Sequence, residues 1–231
     1  MFTWRFKRKS SKNWKDEIVR KNSVNKNFTK VNGTIMFPSS HDIHPIHLNE
    51  SILVLKKLLN FDNKILIVSK PHYLCIKKIC TQFKNYKKNI LFRFTIGSTS
   101  SKILKFWEPG APSFSERFRS LKFAYNNGFQ TSISCEPMLD NNVEDLIEKV
   151  SPFVTDSIWV GKVNFLLRRL KINNVLNQIT YQKAFELLEW QSNENIIKLY
   201  MAFKDNPKIK WKESIKNIVG ISIPKEKGLD I

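Results

Sequence analysis

The feature that most constrains the fold is a series of short apolar runs, each followed by a polar loop and a longer segment with helical spacing. Five such runs are visible, at residues 34–37, 65–68, 90–96, 131–135 and 157–160. Strands covered on both faces are continuously apolar, and strands that alternate with helices over short connections form parallel β/α units. The sequence therefore predicts an α/β fold with about five parallel strands flanked by helices.

Three segments differ in composition. Residues 1–32 are basic, rich in Asn and weakly patterned, whereas residues 33–168 carry the regular β/α pattern. Residues 169–231 are predicted to form a mainly helical C-terminal extension, in which residues 218–223 are a candidate for one more short strand. A chain of 231 residues can bury one sizeable core, and its length does not distinguish one large domain from two small ones.

The chain carries a net charge of +19, from 39 Lys and Arg against 20 Asp and Glu. A basic surface gains affinity for nucleic acid by releasing phosphate counterions, so a nucleic-acid partner is one interpretation. A bias toward A/T-rich codons is the other, because Lys outnumbers Arg, Asn and Ile are abundant, and the charge is spread along the chain beyond its first thirty residues. Charge alone does not decide between them.

Membrane insertion and secretion are not indicated. No apolar run approaches the roughly 18 residues of a transmembrane helix, and the basic N-terminal stretch lacks the apolar segment of a secretory signal. The three cysteines are too few and too irregular for a disulfide framework. We therefore expect a cytoplasmic protein without a membrane partner.

The loops that follow the five runs share a polar character. Ligand sites in parallel α/β proteins lie at the carboxyl ends of the strands. Here those loops all carry small polar or ionisable residues, at 38–42, 69–72, 97–100, 135–137 and 161–164. Their convergence predicts a ligand site, although no GxGxxG, GxxxxGK[ST], HExxH or GxSxG motif supports a nucleotide-binding, metalloprotease or hydrolase assignment.

Three of the four histidines follow the first run, at a spacing of three: His41, His44 and His47. Residues so spaced on a helix can share a metal ion, but Pro45 disfavours helical geometry at His44 and no fourth ligand is apparent. We expect Asp42 to cap the incoming helix, His44 and His47 to lie on the surface, and His41 to face a pocket. A His-dependent metalloenzyme is the minor alternative.

The cysteines divide into two kinds. Cys75 and Cys80 lie among apolar residues at helical spacing, which predicts two small core residues rather than metal ligands. Cys135 ends the fourth run beside Glu136. A thiol in that place is a candidate nucleophile, redox group or hydrogen-atom donor, and a buried small residue is an equally good interpretation.

The segment EPGAPS, which begins at Glu108, cannot form regular structure because two prolines and a glycine make a rigid loop. The next helix has two candidate N-caps, Ser115 alone or Ser113 in a capping box with Glu116. Gly128 is placed to end that helix. The stiff loop would hold Glu108 at the rim of a pocket.

Together these segments resemble the radical S-adenosylmethionine superfamily, and within it proteins similar to spore photoproduct lyase. They are GTIMFPSSHDI, ILIVSKP, ILFRFTIGS, FWEPGAPSFSERF, GFQTSISCEPMLD and IWVGKVN, which span Gly33 to Asn164, over half of the chain. EPGAPSxxER, followed by a helix that ends in Gly-Phe, is the most specific. The resemblance implies a partial (β/α) barrel, incomplete here. In that family a [4Fe-4S] cluster cleaves S-adenosylmethionine to a 5'-deoxyadenosyl radical, which abstracts a hydrogen atom from the substrate.

The resemblance also implies which positions contact S-adenosylmethionine. They are Ser39, Ser40 and His41 after the first run, Ser69 and Lys70 after the second, Arg93, Thr95, Gly97 and Glu108 around the third, Ser134 and Glu136 at the fourth, and Lys162 and Asn164 after the fifth. Cys135 is the candidate catalytic residue, and no residue of the chain is assigned to a metal.

One departure from the family is decisive for the expected activity. The cluster-binding motif CxxxCxxC does not occur in the sequence, and the strand that precedes it in the family is missing before residue 34. Either the chain starts downstream of the motif and lacks an N-terminal segment or a partner strand, or it is a cluster-less derivative. We expect the chain alone to be inactive, with an unknown substrate. The alternative function is a non-catalytic basic barrel that binds nucleic acid.

Overall fold

The computed structural model describes residues 19–39 and 41–224. The strands are β1 (Thr34–Phe37), β2 (Lys64–Ser69), β3 (Ile90–Thr95), β4 (Gln130–Cys135), β5 (Ile158–Val160) and β6 (Ile209–Trp211). The helices are α1 (Lys21–Asn25), α2 (Leu48–Leu59), α3 (Tyr73–Gln82), α4 (Ser101–Trp107), α5 (Phe114–Asn126), α6 (Val143–Val150), α7 (Leu166–Ile172), α8 (Gln178–Trp190), α9 (Asn193–Phe203) and α10 (Glu213–Val219). Short 3₁₀ segments lie at Pro45–His47, Lys84–Asn89 and Ser151–Phe153.

The six strands form one sheet in the order β1-β2-β3-β4-β5-β6, and every neighbouring pair is parallel. The predicted α/β class, with parallel strands flanked by helices, is confirmed. A parallel sheet whose spatial order follows the chain order is the arrangement of barrel-like β/α folds. The described residues therefore form an α/β fold with a six-stranded parallel sheet, which fits a partial barrel-like arrangement.

The number of strands and the place of the last one differ from the expectation. The sheet has six strands, and β6 lies inside the segment predicted to be mainly helical. Residues 218–223, the candidate for an extra strand, instead contain the end of α10 and irregular chain. At three residues, β6 is too short to carry a sequence pattern of its own, and its parallel pairing with β5 is what makes it a strand.

One face of the central strands packs against the helices. Ile65 and Ile67 of β2, Phe92 and Phe94 of β3, and Ile133 of β4 are buried in the main core. Full burial of one such side chain stabilises the fold by about 1.5–3 kcal/mol. Successive residues of a strand point to opposite faces, so the residues between these lie on the other face of the sheet, which we term the inner face.

The inner face is more polar than the helix-covered face. At its centre lie Arg93 and Thr95 of β3 and Ser132 and Ser134 of β4, in register with one another. These side chains are charged or can form hydrogen bonds, and they form two rows in the middle of the sheet. Such polar rows are unusual, because a buried polar group is costly unless it has a partner. The inner face is therefore the part of the fold where a function is to be sought.

The C-terminal segment shares the main core. Ile196 and Leu199 of α9, Trp211 of β6 and Ile215 of α10 belong to the same buried cluster as the central strands. Residues 1–18 of the predicted basic segment lie outside the described residues. No helix in the described part of the chain is long and apolar enough to cross a bilayer.

Candidate functional site at the carboxyl ends of the strands

A row of side chains crosses the sheet near the carboxyl ends of its strands. The register pairs Thr95 of β3 with Ser134 of β4, Ser134 with Trp159 of β5, and Trp159 with Lys210 of β6. Lys70 directly follows β2 at the same edge. Residues paired across parallel strands project to the same face, so the row belongs to the inner face, at the edge where the sequence predicts a ligand.

A chain of opposite charges runs along one half of this edge. The Nζ atom of Lys70 lies 3.7 Å from Oδ2 of Asp42 and 3.7 Å from Oε1 of Glu108. The Oδ1 atom of Asp42 accepts hydrogen bonds from the backbone N–H of Lys70 at 2.7 Å and from Oγ of Ser69 at 3.2 Å. The prediction that Asp42 caps the incoming helix is wrong, because its carboxylate ties the loop after β1 to the end of β2.

Arg117 of α5 anchors Glu108 from inside the core. Arg117 is fully buried, and its Nη1 atom lies 2.7 Å from Oε2 of Glu108. The same Nη1 donates to the carbonyl of Thr95 at 3.0 Å, and Nε donates to the carbonyl of Pro112 at 2.8 Å. One guanidinium thus joins the rigid loop, the end of β3 and the Glu108 carboxylate. Sequence reasoning missed Arg117, although the segment SFSER contained it.

The start of α5 confirms one of the two predicted caps. The hydroxyl of Ser113 accepts the backbone N–H of Glu116 at 3.4 Å. The capping box is incomplete, because the Glu116 carboxylate accepts the backbone N–H of Tyr73 at 3.0 Å and lies 3.7 Å from Nδ1 of His72. Glu116 therefore links the beginning of α5 to the beginning of α3, behind the chain of charges.

The other half of the inner face is organised around Trp159. Lys212 Nζ lies 4.7 Å from the centroid of its ring and 3.4 Å from Oε2 of Glu136. Arg93 lies 5.1 Å from the same centroid and donates a hydrogen bond from Nε to Oγ of Ser132 at 3.0 Å. Cation–π attraction holds both cations on this face. Lys212 follows β6, so it was missed in the sequence together with that strand.

The histidines differ in exposure from one another. His41 is exposed, whereas His44 and His47, predicted to be surface residues, are half-buried. The ring of His44 contacts that of His72 edge-on, with centroids 5.0 Å apart. Burial lowers the pKa of His72, against a smaller opposing effect of Glu116. In residues 19–39 and 41–224, no three His, Cys, Asp or Glu side chains are grouped so as to hold a metal ion.

The three cysteines are free and buried. Cys75 and Cys80 lie in α3 within the main core, as predicted. Burial raises the pKa of Cys75 to about 11 and that of Cys80 to about 12. Cys135 is completely buried on the helix-covered face, and burial also raises its pKa. A neutral thiol in the core cannot reach a ligand on the inner face, so this position argues against the candidate catalytic role.

The remaining candidates are scattered around the edge. Ser69 is buried and bonded to Asp42, while Ser39 and Asn164 are exposed. Ser40 lies outside the described residues. Burial lowers the pKa of Lys162, whose backbone N–H donates to Oγ of Ser214 at 3.0 Å.

The close packing around position 97 leaves no room for a Cβ atom and so favours glycine there. A Cβ atom there would lie 2.5 Å from the carbonyl oxygen of Pro137 and 2.9 Å from the side chain of Leu139. Its own carbonyl accepts the backbone N–H of Leu139 at 2.8 Å. The chain after β4 makes this close approach to Gly97.

Comparison with known proteins adds no relative to this picture: no protein-family model, no curated protein and no solved structure matches the chain. The resemblance to radical S-adenosylmethionine proteins therefore stays a hypothesis from the sequence. Function has to be argued from the inner face and the strand ends.

Proposed function

We propose that the chain binds S-adenosylmethionine at the carboxyl ends of its strands, in a barrel similar to that of radical S-adenosylmethionine proteins of the spore photoproduct lyase kind. The observation that carries the proposal is the pairing of Lys70 with Glu108 at one end of the inner-face row and of Lys212 with Glu136 at the other. Both pairs stand at the edge where parallel α/β folds bind their ligands.

The chemistry of the ligand matches these groups. S-adenosylmethionine carries an α-carboxylate, an α-ammonium and a sulfonium, and its ribose offers two hydroxyls. A lysine–glutamate pair can take the carboxylate on the ammonium and the ligand's cation on the carboxylate, through charge-assisted hydrogen bonds. The hydroxyls of Thr95 and Ser134 lie between the two pairs in the row, where they can bond to the ribose.

The side chains do not fit the iron–sulfur cluster of that family. A [4Fe-4S] cluster needs accessible thiolates close together. Cys75 and Cys80 are buried in α3 and Cys135 is buried in β4, all with raised pKa values. We derive no radical step from these residues, and the proposal for this chain is binding of the ligand.

Isothermal titration calorimetry with S-adenosylmethionine and S-adenosylhomocysteine tests the proposal. The variants Lys70→Met and Lys212→Met each remove one charged hydrogen bond, which should weaken binding about tenfold or more. Lys77→Met, at an exposed lysine of α3, is the matched control and should bind as the unaltered chain does. Absence of heat with either ligand, or equal affinities for all three variants, would refute the proposal.

The alternative of a nucleic-acid-binding barrel rests on the net charge of +19. It predicts that the chain binds a single-stranded oligonucleotide and that the logarithm of the binding constant falls linearly with the logarithm of the salt concentration. Fluorescence polarisation at several salt concentrations measures this slope. A steep slope, with no calorimetric signal for S-adenosylmethionine, would favour the alternative.

A further inference from the structure

A buried hydrogen-bond donor lies on the inner face of the sheet without an acceptor. Trp159 is 6% exposed, and its Nε1–H makes no hydrogen bond within the described residues. Two other buried side-chain atoms among these residues also lack a hydrogen-bond partner, but they belong to Glu108 and Arg117, which are ion-paired with each other at 2.7 Å. Because a buried donor is costly to leave unpaired, the indole of Trp159 calls for an explanation.

The two cations that contact this ring cannot satisfy its N–H group. Arg93 and Lys212 stand over the ring of Trp159, at 5.1 Å and 4.7 Å from its centroid, whereas an indole N–H projects from the ring edge in the plane of the ring. Guanidinium and ammonium groups, like the indole, donate hydrogen bonds and accept none. The cations therefore hold the ring in place by cation–π attraction and leave its N–H group for another acceptor.

The charges around this indole do not balance. The Nη2 atom of Arg93 lies 3.6 Å from Oδ2 of Asp156, and Lys212 is paired with Glu136 at 3.4 Å. A third cation, Lys210, is the residue of β6 that pairs with the tryptophan in the register, so it projects to the same face. Lys210 is half-buried and makes no ion pair within the part of the chain that the structure describes. Three cations thus share this half of the inner face with two carboxylates.

These features fit an oxyanion better than any other ligand group. The indole N–H and the ammonium of Lys210 both require an acceptor, and the excess positive charge requires that the acceptor be negative. A neutral carbonyl would accept from the indole but leave Lys210 without a counter-charge, and a cationic group would meet three cations. A carboxylate or phosphate oxygen satisfies both donors, through hydrogen bonds of the stronger, charge-assisted kind.

We propose that the inner face holds an anion-binding site, in which Nε1–H of Trp159 and the ammonium of Lys210 bind a carboxylate or phosphate oxygen of a second ligand. The site lies on β5 and β6, whereas Lys70, which pairs with Glu108, follows β2 on the other side of the sheet. The assignment of the second ligand as a substrate that meets S-adenosylmethionine rests on the proposed function. Binding of an anion at Trp159 does not depend on it.

Nuclear magnetic resonance of the nitrogen-labelled full chain tests the proposal. The chain has six tryptophans, and Trp159→Phe identifies the indole signal of Trp159 in the nitrogen–proton correlation spectrum as the one that is lost. Sodium phosphate and sodium acetate are the probes, at one pH and one ionic strength balanced with sodium chloride. We expect the indole proton of Trp159 to shift downfield and to saturate with at least one probe, because a hydrogen bond to a charged oxygen deshields it. Saturation by phosphate alone would assign a phosphate-bearing ligand, and by acetate alone a carboxylate-bearing one.

Variants of Lys210 separate its charge from its packing. Lys210→Met should weaken binding of the anion about tenfold, because it removes one charged hydrogen bond. Lys210→Arg keeps the charge and should retain most of the affinity. Lys204→Met, at an exposed lysine between α9 and β6, is the matched control and should bind as the unaltered chain does.

Three outcomes would overturn the proposal: no shift of the Trp159 signal with either probe, an equal shift with sodium chloride alone, or equal affinities of Lys210→Met and Lys204→Met. As a second measurement, the anion that binds should raise the urea midpoint of the unaltered chain more than that of Trp159→Phe, and equal rises would also count against the site. These titrations contain no S-adenosylmethionine, so their failure is distinct from a failure of the calorimetric test of the proposed function.

Discussion

The buried pair of Arg117 and Glu108 is expected to be one of the most sensitive points of the fold. The substitution Glu108→Gln keeps the shape of the side chain and removes its charge, so the guanidinium of Arg117 is left in the core without a counter-charge. Arg117 is fully buried and Glu108 is 13% exposed. Removing one partner of a buried pair costs more than the pair contributes, because an uncompensated charge remains.

The magnitude follows from the geometry. At the observed 2.7 Å and an effective dielectric constant of about 20, the gross Coulomb attraction is about 6 kcal/mol, an upper limit. Part of it is offset, because Arg117 keeps its hydrogen bonds to the carbonyls of Thr95 and Pro112. We therefore expect the free energy of unfolding to fall by about 3 kcal/mol, at the low end of losses for broken buried pairs.

Urea unfolding followed by tryptophan fluorescence measures this change from the shift of the midpoint at constant slope. The control is Glu186→Gln, which breaks the exposed pair of Glu186 with Lys183 on α8 and should leave the midpoint unchanged. A loss below about 1 kcal/mol for Glu108→Gln would refute the reasoning. The double variant with Arg117→Met should be more stable than Glu108→Gln alone, because it removes the orphaned charge.

Three further outcomes are expected. Gly97→Ala should destabilise the protein by about 1–3 kcal/mol in the same urea assay, because the added Cβ meets a rigid backbone oxygen, that of Pro137 at 2.5 Å. Since burial lowers the pKa of His72 below its ordinary value of 6.5, the unfolded chain binds more protons there, and stability should fall as the pH drops below that value. His72→Gln should lose this part of the pH dependence of the urea midpoint, and an unchanged profile would contradict it. Thiol labelling with an aromatic disulfide at pH 8 should be slow in the folded protein and complete in urea, because the three cysteines are buried.

The class of fold could be predicted because its signal is local. The run at residues 65–68 is apolar on both sides of the strand, as expected for a parallel sheet covered on both faces. The run at 131–135 alternates, because Ser132 and Ser134 face the polar inner side of the sheet. The start of α5 at Ser113 and its end before Gly128 were also readable, since caps depend on a few neighbouring atoms. The strand β6 was not readable, because three residues carry no period and their pairing with β5 crosses about 50 residues of chain.

The sequence predicted the candidate site only as far as one edge of the sheet. The loops placed Lys70 and Glu108 there, but nothing in the sequence showed that they lie 3.7 Å apart or that Asp42 faces the same lysine. Lys212 was missed for the same reason as β6. These contacts join residues that are tens of positions apart, and only the packing of strands and helices sets such distances.

The sequence by itself determined the alternation of strands and helices, the rigid loop after Glu108 and the absence of a cluster-binding motif, because each of these depends on residue types within a short span. The tertiary structure decided what the polar residues do. It buried Cys135 on the helix-covered face and turned Arg93 and Lys212 toward Trp159 on the inner face. The physical reason is that the ion pairs and the exposure of a side chain depend on its neighbours in space. The chain acquires those neighbours only when it folds.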